Sequence, residues 1–282
     1  MVDHPLAVRR PRDVVVVAGP DAGSYLQGQL SQDVEALPVG GSGETFVLQP
    51  TGKVDAWMRV TRLSAERYIL DVDVGYGEVV VQRLTRFLLR TDCTVEAVDW
   101  DLVTVLDGSP DDLPIPKDGL RIAVSWPGLC AVDLLGPSVA EPEGLAVGGH
   151  NDWEVRRISA GIPAMGSEMD DSTIPAATGV VNRSASFTKG CYTGQELVAR
   201  VDSRAAGAPT RILRATGAGA PPPAGTELEA EGRSAGRLTS VAAVEDGFVA
   251  LAEVRRAVAT TADVKAVDPA GSTTVSLLDD RR

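Results

Sequence analysis

Hydrophobic and polar positions recur along this chain with two periods, and the period switches several times. Residues 14–17 are an unbroken valine run closed by Gly19-Pro20, which predicts a buried strand, and Asp21 stands where a helix N-cap is expected before Tyr25, Leu26 and Leu30. Across residues 54–60, Val54, Ala56, Met58 and Val60 alternate with Asp55, Trp57, Arg59 and Thr61, the pattern of a half-buried antiparallel strand. Tyr68-Ile69-Leu70 is expected to pair behind it. Between Gly77 and Arg90 the residues Val80, Val81, Leu84, Phe87 and Leu88 fall at helical spacing, which puts Arg83, Arg86 and Arg90 on the solvent side of a surface helix.

Further along, the apolar runs 102–106, 122–124 and 131–135 are separated by Asp, Gly and Pro clusters, as strands and turns are. A short helix is predicted over 154–158, ended by Gly161 and Pro163. The stretch GAGAPPPAG at 217–225 reads as a linker or an exposed loop. After it, apolar runs around Leu228, Leu238, 249–254, Val264 and Val275 are spaced as in a small β-barrel or sandwich. There is no internal repeat and no regular strand–helix alternation, so the expected class is α+β with a terminal β domain.

A length of 282 residues implies two or three packed units. Hydrophobic residues at 44% and charged residues at 23% are ordinary for a globular chain, and with aromatics at only 4% the cores must be filled by Val, Ala and Leu. A net charge of -12 disfavours a polyanionic partner such as nucleic acid. The two histidines, His4 and His150, offer no pair at metal-ligand spacing, so no metal site is expected. Cys93, Cys130 and Cys191 form no C-x-x-C and are odd in number, which fits a reducing compartment. No apolar run is long enough for a signal segment or a membrane span, and a cytoplasmic location is expected.

The segment carrying chemistry is Lys189-Gly190-Cys191-Tyr192-Thr193-Gly194-Gln195-Glu196, followed by Leu197, Val198 and Val201. It predicts an amphipathic helix with Cys191 at or just before the first turn, where unpaired backbone N–H groups, the positive helix end and Lys189 all favour a thiolate. Two readings stay open, a reactive thiol or a cysteine that only packs, which is the commoner fate of this residue type. Cys93 and Cys130 sit in apolar strand patterns without a flanking cation and are expected to pack. From Lys189 to Arg214 the basic residues Lys189, Arg200, Arg204, Arg211 and Arg214 face only Glu196 and Asp202. Against an acidic chain this points to a carboxylate- or phosphate-bearing ligand, with a solvated helix face as the alternative. No glycine-rich nucleotide motif is present.

The residues 189–196 resemble the K-G-C-Y-x-G-Q-E signature of the YgfZ family, folate-binding proteins related to the glycine cleavage T-protein, an aminomethyltransferase. Tyr25-Leu26-Gln27-Gly28-Gln29-Leu30 with Asp33, Gly52-Lys53, the run from Arg157 to Pro163 and Thr173-Ile174-Pro175 are similar to further family segments. The resemblance implies a three-domain ring whose opening holds a tetrahydrofolate, and a role in building or repairing iron–sulfur proteins. On that basis residues 1–206 would form two interleaved α+β folate-binding domains, the second roughly 45–110, and 207–282 a C-terminal β-barrel. Cys191 and Lys189 would be the catalytic pair, and Gln195, Glu196, Arg200, Arg211, Ser159 and Tyr192 would contact the folate.

Two departures from the family pattern bear on the activity. The transferase's acidic pair aligns with Ala56 and Trp57, while Asp55 lies one residue early, on the opposite strand face, and is expected to point away from the cavity. Ser159 stands where a pterin-binding Glu is usual. The expectation is therefore a folate-dependent factor using a reactive cysteine. The alternatives are a true aminomethyltransferase, disfavoured by the missing acids, and a folate-binding scaffold whose Cys191 only packs.

Overall fold

The computed structural model describes residues 4–202, 207–269 and 271–278. In chain order these form β1 (Leu6–Arg10), β2 (Arg12–Ala18), α1 (Ala22–Gln29), β3 (Ser42–Leu48), β4 (Val54–Arg62), β5 (Arg67–Asp73), α2 (Gly77–Thr85), β6 (Thr94–Val98) and β7 (Asp101–Leu106). There follow β8 (Leu120–Trp126), β9 (Leu129–Gly136), β10 (Ala146–Val147), α3 (His150–Ser159), α4 (Pro175–Thr178), α5 (Val181–Ser184) and α6 (Gln195–Asp202). The last part holds β11 (Thr210–Ala218), β12 (Glu227–Ala230), β13 (Arg233–Val244), β14 (Gly247–Arg255), β15 (Val264–Asp268) and β16 (Gly271–Leu278). The described residues divide into two compact units, one drawn from Pro11–Asp101 and Met169–Gly207, the other from Met1–Arg10, Leu102–Glu168 and Ala208–Arg282.

The first unit is built on a five-stranded antiparallel sheet of order β3-β4-β5-β2-β6. Val15, Val17, Ala56, Met58, Val60, Leu70 and Val72 form one face and pack against Leu26 and Leu30 at α1 and Val80 and Leu84 of α2. The other face is not solvated, contrary to the half-buried reading of β4: Trp57 and Thr61 are buried as well. The cause lies far along the chain, since the Trp57 indole N–H donates to Ser184 Oγ (2.8 Å) of α5. On that same face Arg12 and Arg59 close on Asp71, whose side chain is only 1% exposed, so a charge is buried there in paired form.

Three local expectations are corrected in this unit. Asp21 precedes α1 but its side chain caps nothing in the helix; its Oδ2 instead accepts the Asp92 N–H (2.8 Å). The helix expected over 77–90 stops at Thr85, and Arg90 adopts a left-handed φ of 61°. Arg83, assigned to the solvent face, is buried.

The second unit contains the sheet β10-β1-β7-β9-β8 and a closed six-stranded barrel, β11-β14-β13-β12-β15-β16. Closure removes the sheet edges, and the interior is filled by small and branched residues such as Ala215, Leu228, Leu238, Ala250, Ala252, Val264 and Val275 around Phe248. Helix α3 lies on this barrel through Ile158, Ala242 and Leu251. The stretch expected as a loop from 217 begins in β11, because Gly217 leaves room for the Phe248 ring; a Cβ there would meet Phe248 Cζ at 2.4 Å. Among the described residues no helix is long and apolar enough to cross a membrane.

Candidate functional site

The 189–196 segment belongs to the first unit, and its position is fixed by two glycine turns. Residues 49–53 make a tight turn, with Gly52 N–H donating to Gln49 O (2.8 Å) and Gln49 N–H donating to Lys53 O (2.9 Å). Gly52 has φ 79° and Gly194 has φ 81°, the left-handed region where a side chain is strained. They also touch: a Cβ on Gly194 would lie 3.2 Å from Gly52 Cα, and one on Gly52 would lie 2.4 Å from Leu197 Cβ. Two segments about 140 residues apart in sequence therefore pack backbone to backbone, which only glycine permits.

Upstream, the segment is stitched to the end of α1. Ser186 N–H donates to Ser31 O (2.9 Å), Gln32 Nε2 donates to Arg183 O (2.8 Å), and Lys189 Nζ donates to both Leu30 O (2.8 Å) and Gln32 O (2.7 Å). Those carbonyls sit at and just past the negative end of α1, a favourable place for a cation. Burial lowers the Lys189 ammonium from its ordinary range to about 8, with Asp33 and Glu35 acting in the opposite direction. This revises the expected role of Lys189, whose donors are directed at two carbonyls rather than at the Cys191 thiol.

The helix itself starts later than expected. Helix α6 begins at Gln195, and Cys191 lies four residues before it in an exposed, irregular segment, so the helix terminus does not act on the thiol directly. Beyond Cys191 the chain borders a cleft of about 440 Å³ lined by Pro50, Thr51, Tyr192, Gly194, Gln195, Glu196 and Leu197. Tyr192 is buried, its hydroxyl has no hydrogen-bond partner among the described residues, and burial raises its pKa. The segment thus places Cys191, Tyr192, Gln195 and Glu196 along one short path, with Lys189 anchoring its start.

The other expected contacts lie elsewhere. The Arg200 side chain and Arg204 are outside the described residues. Arg211 belongs to β11 in the second unit, where its Nη2 donates to Val258 O (3.0 Å). Ser159 is the exposed last residue of α3, and its carbonyl accepts a hydrogen bond from Arg214 Nη1 (2.5 Å). Its neighbour Arg157 is enclosed by Glu154 Oε2 (2.6 Å), Glu168 Oε2 (3.2 Å), Ile162 O (2.8 Å) and Ser240 Oγ (2.8 Å). Cys130, expected to pack, is exposed, while Cys93 is half-buried and its thiol is pushed up by burial and by Asp21 and Asp92. Among the described residues no group of three or more His, Cys, Asp or Glu is placed to hold a metal ion.

Sequence reasoning missed the pair behind the 49–53 turn. Asp55 makes an ion pair with Arg83 (Nε to Oδ2, 3.3 Å) and a side-chain hydrogen bond with Gln49, and burial is the main cause of its raised pKa. Arg83 also donates to Gln29 Oε1 (3.2 Å) and Leu48 O (3.0 Å). The one available signal was that Arg83 directly precedes Leu84 and follows Val80 by three positions, on the edge of the apolar stripe.

An antiparallel sheet carrying two helices, a second sheet and a closed C-terminal barrel define the aminomethyltransferase-like α+β fold. The crystal structure of glycine cleavage system aminomethyltransferase T from Bartonella henselae superposes with a TM-score of 0.83, covering 98% of this chain and 86% of that one at 18% identity. Residues 210–279 match the CAF17 C-terminal beta-barrel domain. An uncharacterized protein of Haemophilus influenzae is 30% identical over 236 residues, 80% of each chain. The tRNA-modifying protein YgfZ of Serratia proteamaculans is 28% identical over 260 residues, 83% of this chain and 79% of that protein. The chain belongs to the YgfZ family and shares the fold of the aminomethyltransferase.

Proposed function

We propose that this protein is a tetrahydrofolate-binding factor that serves the assembly or repair of iron–sulfur proteins and uses Cys191 as its reactive group. The observation carrying this reading is the exposure of Cys191 in a segment anchored on both sides, by Lys189 at Leu30 and Gln32 and by Gly194 at Gly52. Cys130 is exposed as well, and what sets Cys191 apart is this anchoring of its segment beside a cleft. The adjoining cleft has the volume of a small-molecule site, and Gln195 and Thr51 in its lining supply the kind of polar anchors a pterin or its glutamate needs. When bound, tetrahydrofolate would supply one-carbon chemistry; the residues of this chain would bind and orient it beside the thiol. The buried Trp57 at the position of the transferase acid argues against aminomethyl transfer.

The test is direct. Tetrahydrofolate is expected to bind to the wild type, and Cys191→Ser is expected to keep folding and folate binding while failing to restore iron–sulfur enzyme activity in cells that lack the protein. Full restoration by Cys191→Ser would refute the role of the thiol, and no detectable binding would refute the folate reading. A second reading comes from the relatives named for tRNA modification. It would be favoured if loss of this protein removed a modified nucleoside while iron–sulfur enzymes stayed active.

A further inference from the structure

From the period of β4, Asp55 is expected to point away from the ligand cavity, yet its contacts run toward the cleft. Its carboxylate meets Arg83 Nε at 3.3 Å and forms a hydrogen bond with the Gln49 side chain. Gln49 opens the 49–53 turn, accepts a hydrogen bond from Thr51 Oγ1 (3.0 Å) at its Oε1 and donates from Nε2 to Asp171 O (2.8 Å). Thr51 lines the cleft, and Gly52 of the same turn touches Leu197 and Gly194 on its other wall. A continuous path of polar contacts therefore leads from a buried arginine to the cleft lining.

The Arg83 end of the path is rigid. Its side chain is 8% exposed, donates to Leu48 O and Gln29 Oε1, and stacks on the Phe87 ring at 4.3 Å. Asp55 is its carboxylate partner, with a side chain that is 19% exposed. An arginine fixed at three further contacts holds the carboxylate in place, and the carboxylate in turn holds Gln49. Without it, the Gln49 side chain keeps Thr51 and Asp171 but loses the contact that ties the turn to the sheet beneath.

We infer that Asp55 is a positioning residue: held by Arg83, it sets the Gln49–Thr51 side of the turn that forms one wall of the ligand cleft. This rests on the cleft being the tetrahydrofolate site, and the test separates the two ideas. In the full-length protein, Asp55→Ala should raise the tetrahydrofolate dissociation constant about tenfold, the loss expected from one charge-assisted contact. Asp55→Asn keeps an acceptor for Gln49 and should restore most of the affinity. Amide exchange at Gln49 and Gly52 should be faster in Asp55→Ala, with exchange in the barrel unchanged. If the wild type binds and Asp55→Ala binds equally well, the inference is overturned and the folate reading stands. If the wild type does not bind, the folate reading falls, and the exchange data decide: faster exchange confined to the turn upholds the positioning role, and unchanged exchange overturns it.

Discussion

Two buried arginines, Arg157 in the second unit and Arg83 in the first, do different work although both lie on helices. Arg157 meets two carboxylates, one carbonyl and one hydroxyl, and its partner Glu168 is fully buried and also accepts from Ser240 Oγ (2.7 Å) and the Ala164 N–H (2.9 Å). Arg83 pairs with the Asp55 carboxylate at longer range and partly exposed, and further donors go to a carbonyl and an amide. A saturated cluster like that at Arg157 fixes α3 against the barrel and leaves no group over for a ligand. The sparser one ends at a solvent-facing turn. A family motif, as at Arg157, thus marks a scaffold here, and a helix residue expected at the surface supports the cleft.

The largest effect should come from breaking the saturated cluster. Glu168→Ala leaves Arg157 with one carboxylate in a buried setting and should cost about 3–5 kcal/mol in urea unfolding. The rate of Cys191 alkylation below the unfolding transition should not change. If that rate did change, the separation between scaffold and site drawn from the two arginines would be wrong.

A smaller loss of stability with a clear local readout is expected at the glycine contact. Gly52→Ala places a side chain at φ 79° and against Leu197 Cβ, which should cost roughly 1–3 kcal/mol. Because Gly52 touches Gly194, this variant should alter the labelling rate of Cys191 while that of Cys130 stays constant. Equal rates at Cys191 in variant and wild type would show that the turn does not govern the thiol segment. Cys130 is the proper control, since it is exposed too; Cys93, half-buried with a raised pKa, should be the slowest of the three.

The smallest effect concerns a third cation and is a dependence on pH. The Lys189 ammonium titrates at about 8 in the folded protein and near ~10.4 when unfolded, so between those values the unfolded chain binds more protons. The cost of burying the ammonium is therefore fully present below pH 8 and is relieved as pH rises toward the unfolded value. The neutral amine still has two N–H groups for Leu30 O and Gln32 O. The urea midpoint of the wild type should rise relative to that of Lys189→Met across this window. A constant difference would mean that the ammonium is not desolvated.

Much of the fold is legible in the chain because it depends on local patterns. The valine run gives β2, the alternation at 54–60 gives β4, and the spacing of apolar runs after 225 fits a small barrel or sandwich, of which the structure forms the closed barrel. The cleft residues Tyr192, Gln195 and Glu196 stand with Cys191 in one contiguous segment. The errors share a cause. Helix and strand periods assign Arg83 and Trp57 to outward faces, and both are buried by segments distant in sequence, Leu48 over the one and Ser184 over the other. Proximity in sequence sets Lys189 beside Cys191, but its long side chain reaches carbonyls more than 150 residues away.

The sequence by itself determined the periods of its strands and helices, the glycines that permit close turns, and the segment in which a cysteine is flanked by polar groups. All of these are properties of neighbouring residues and their backbone preferences. Only the tertiary structure decided which face of a strand is covered, where a lysine's donors are spent, and that Asp55 and Thr51 share one hydrogen-bonded path. Those outcomes depend on which remote carbonyls and carboxylates arrive within about 3 Å of a given group, a distance at which a polar contact is made or lost and on which a one-dimensional pattern is silent.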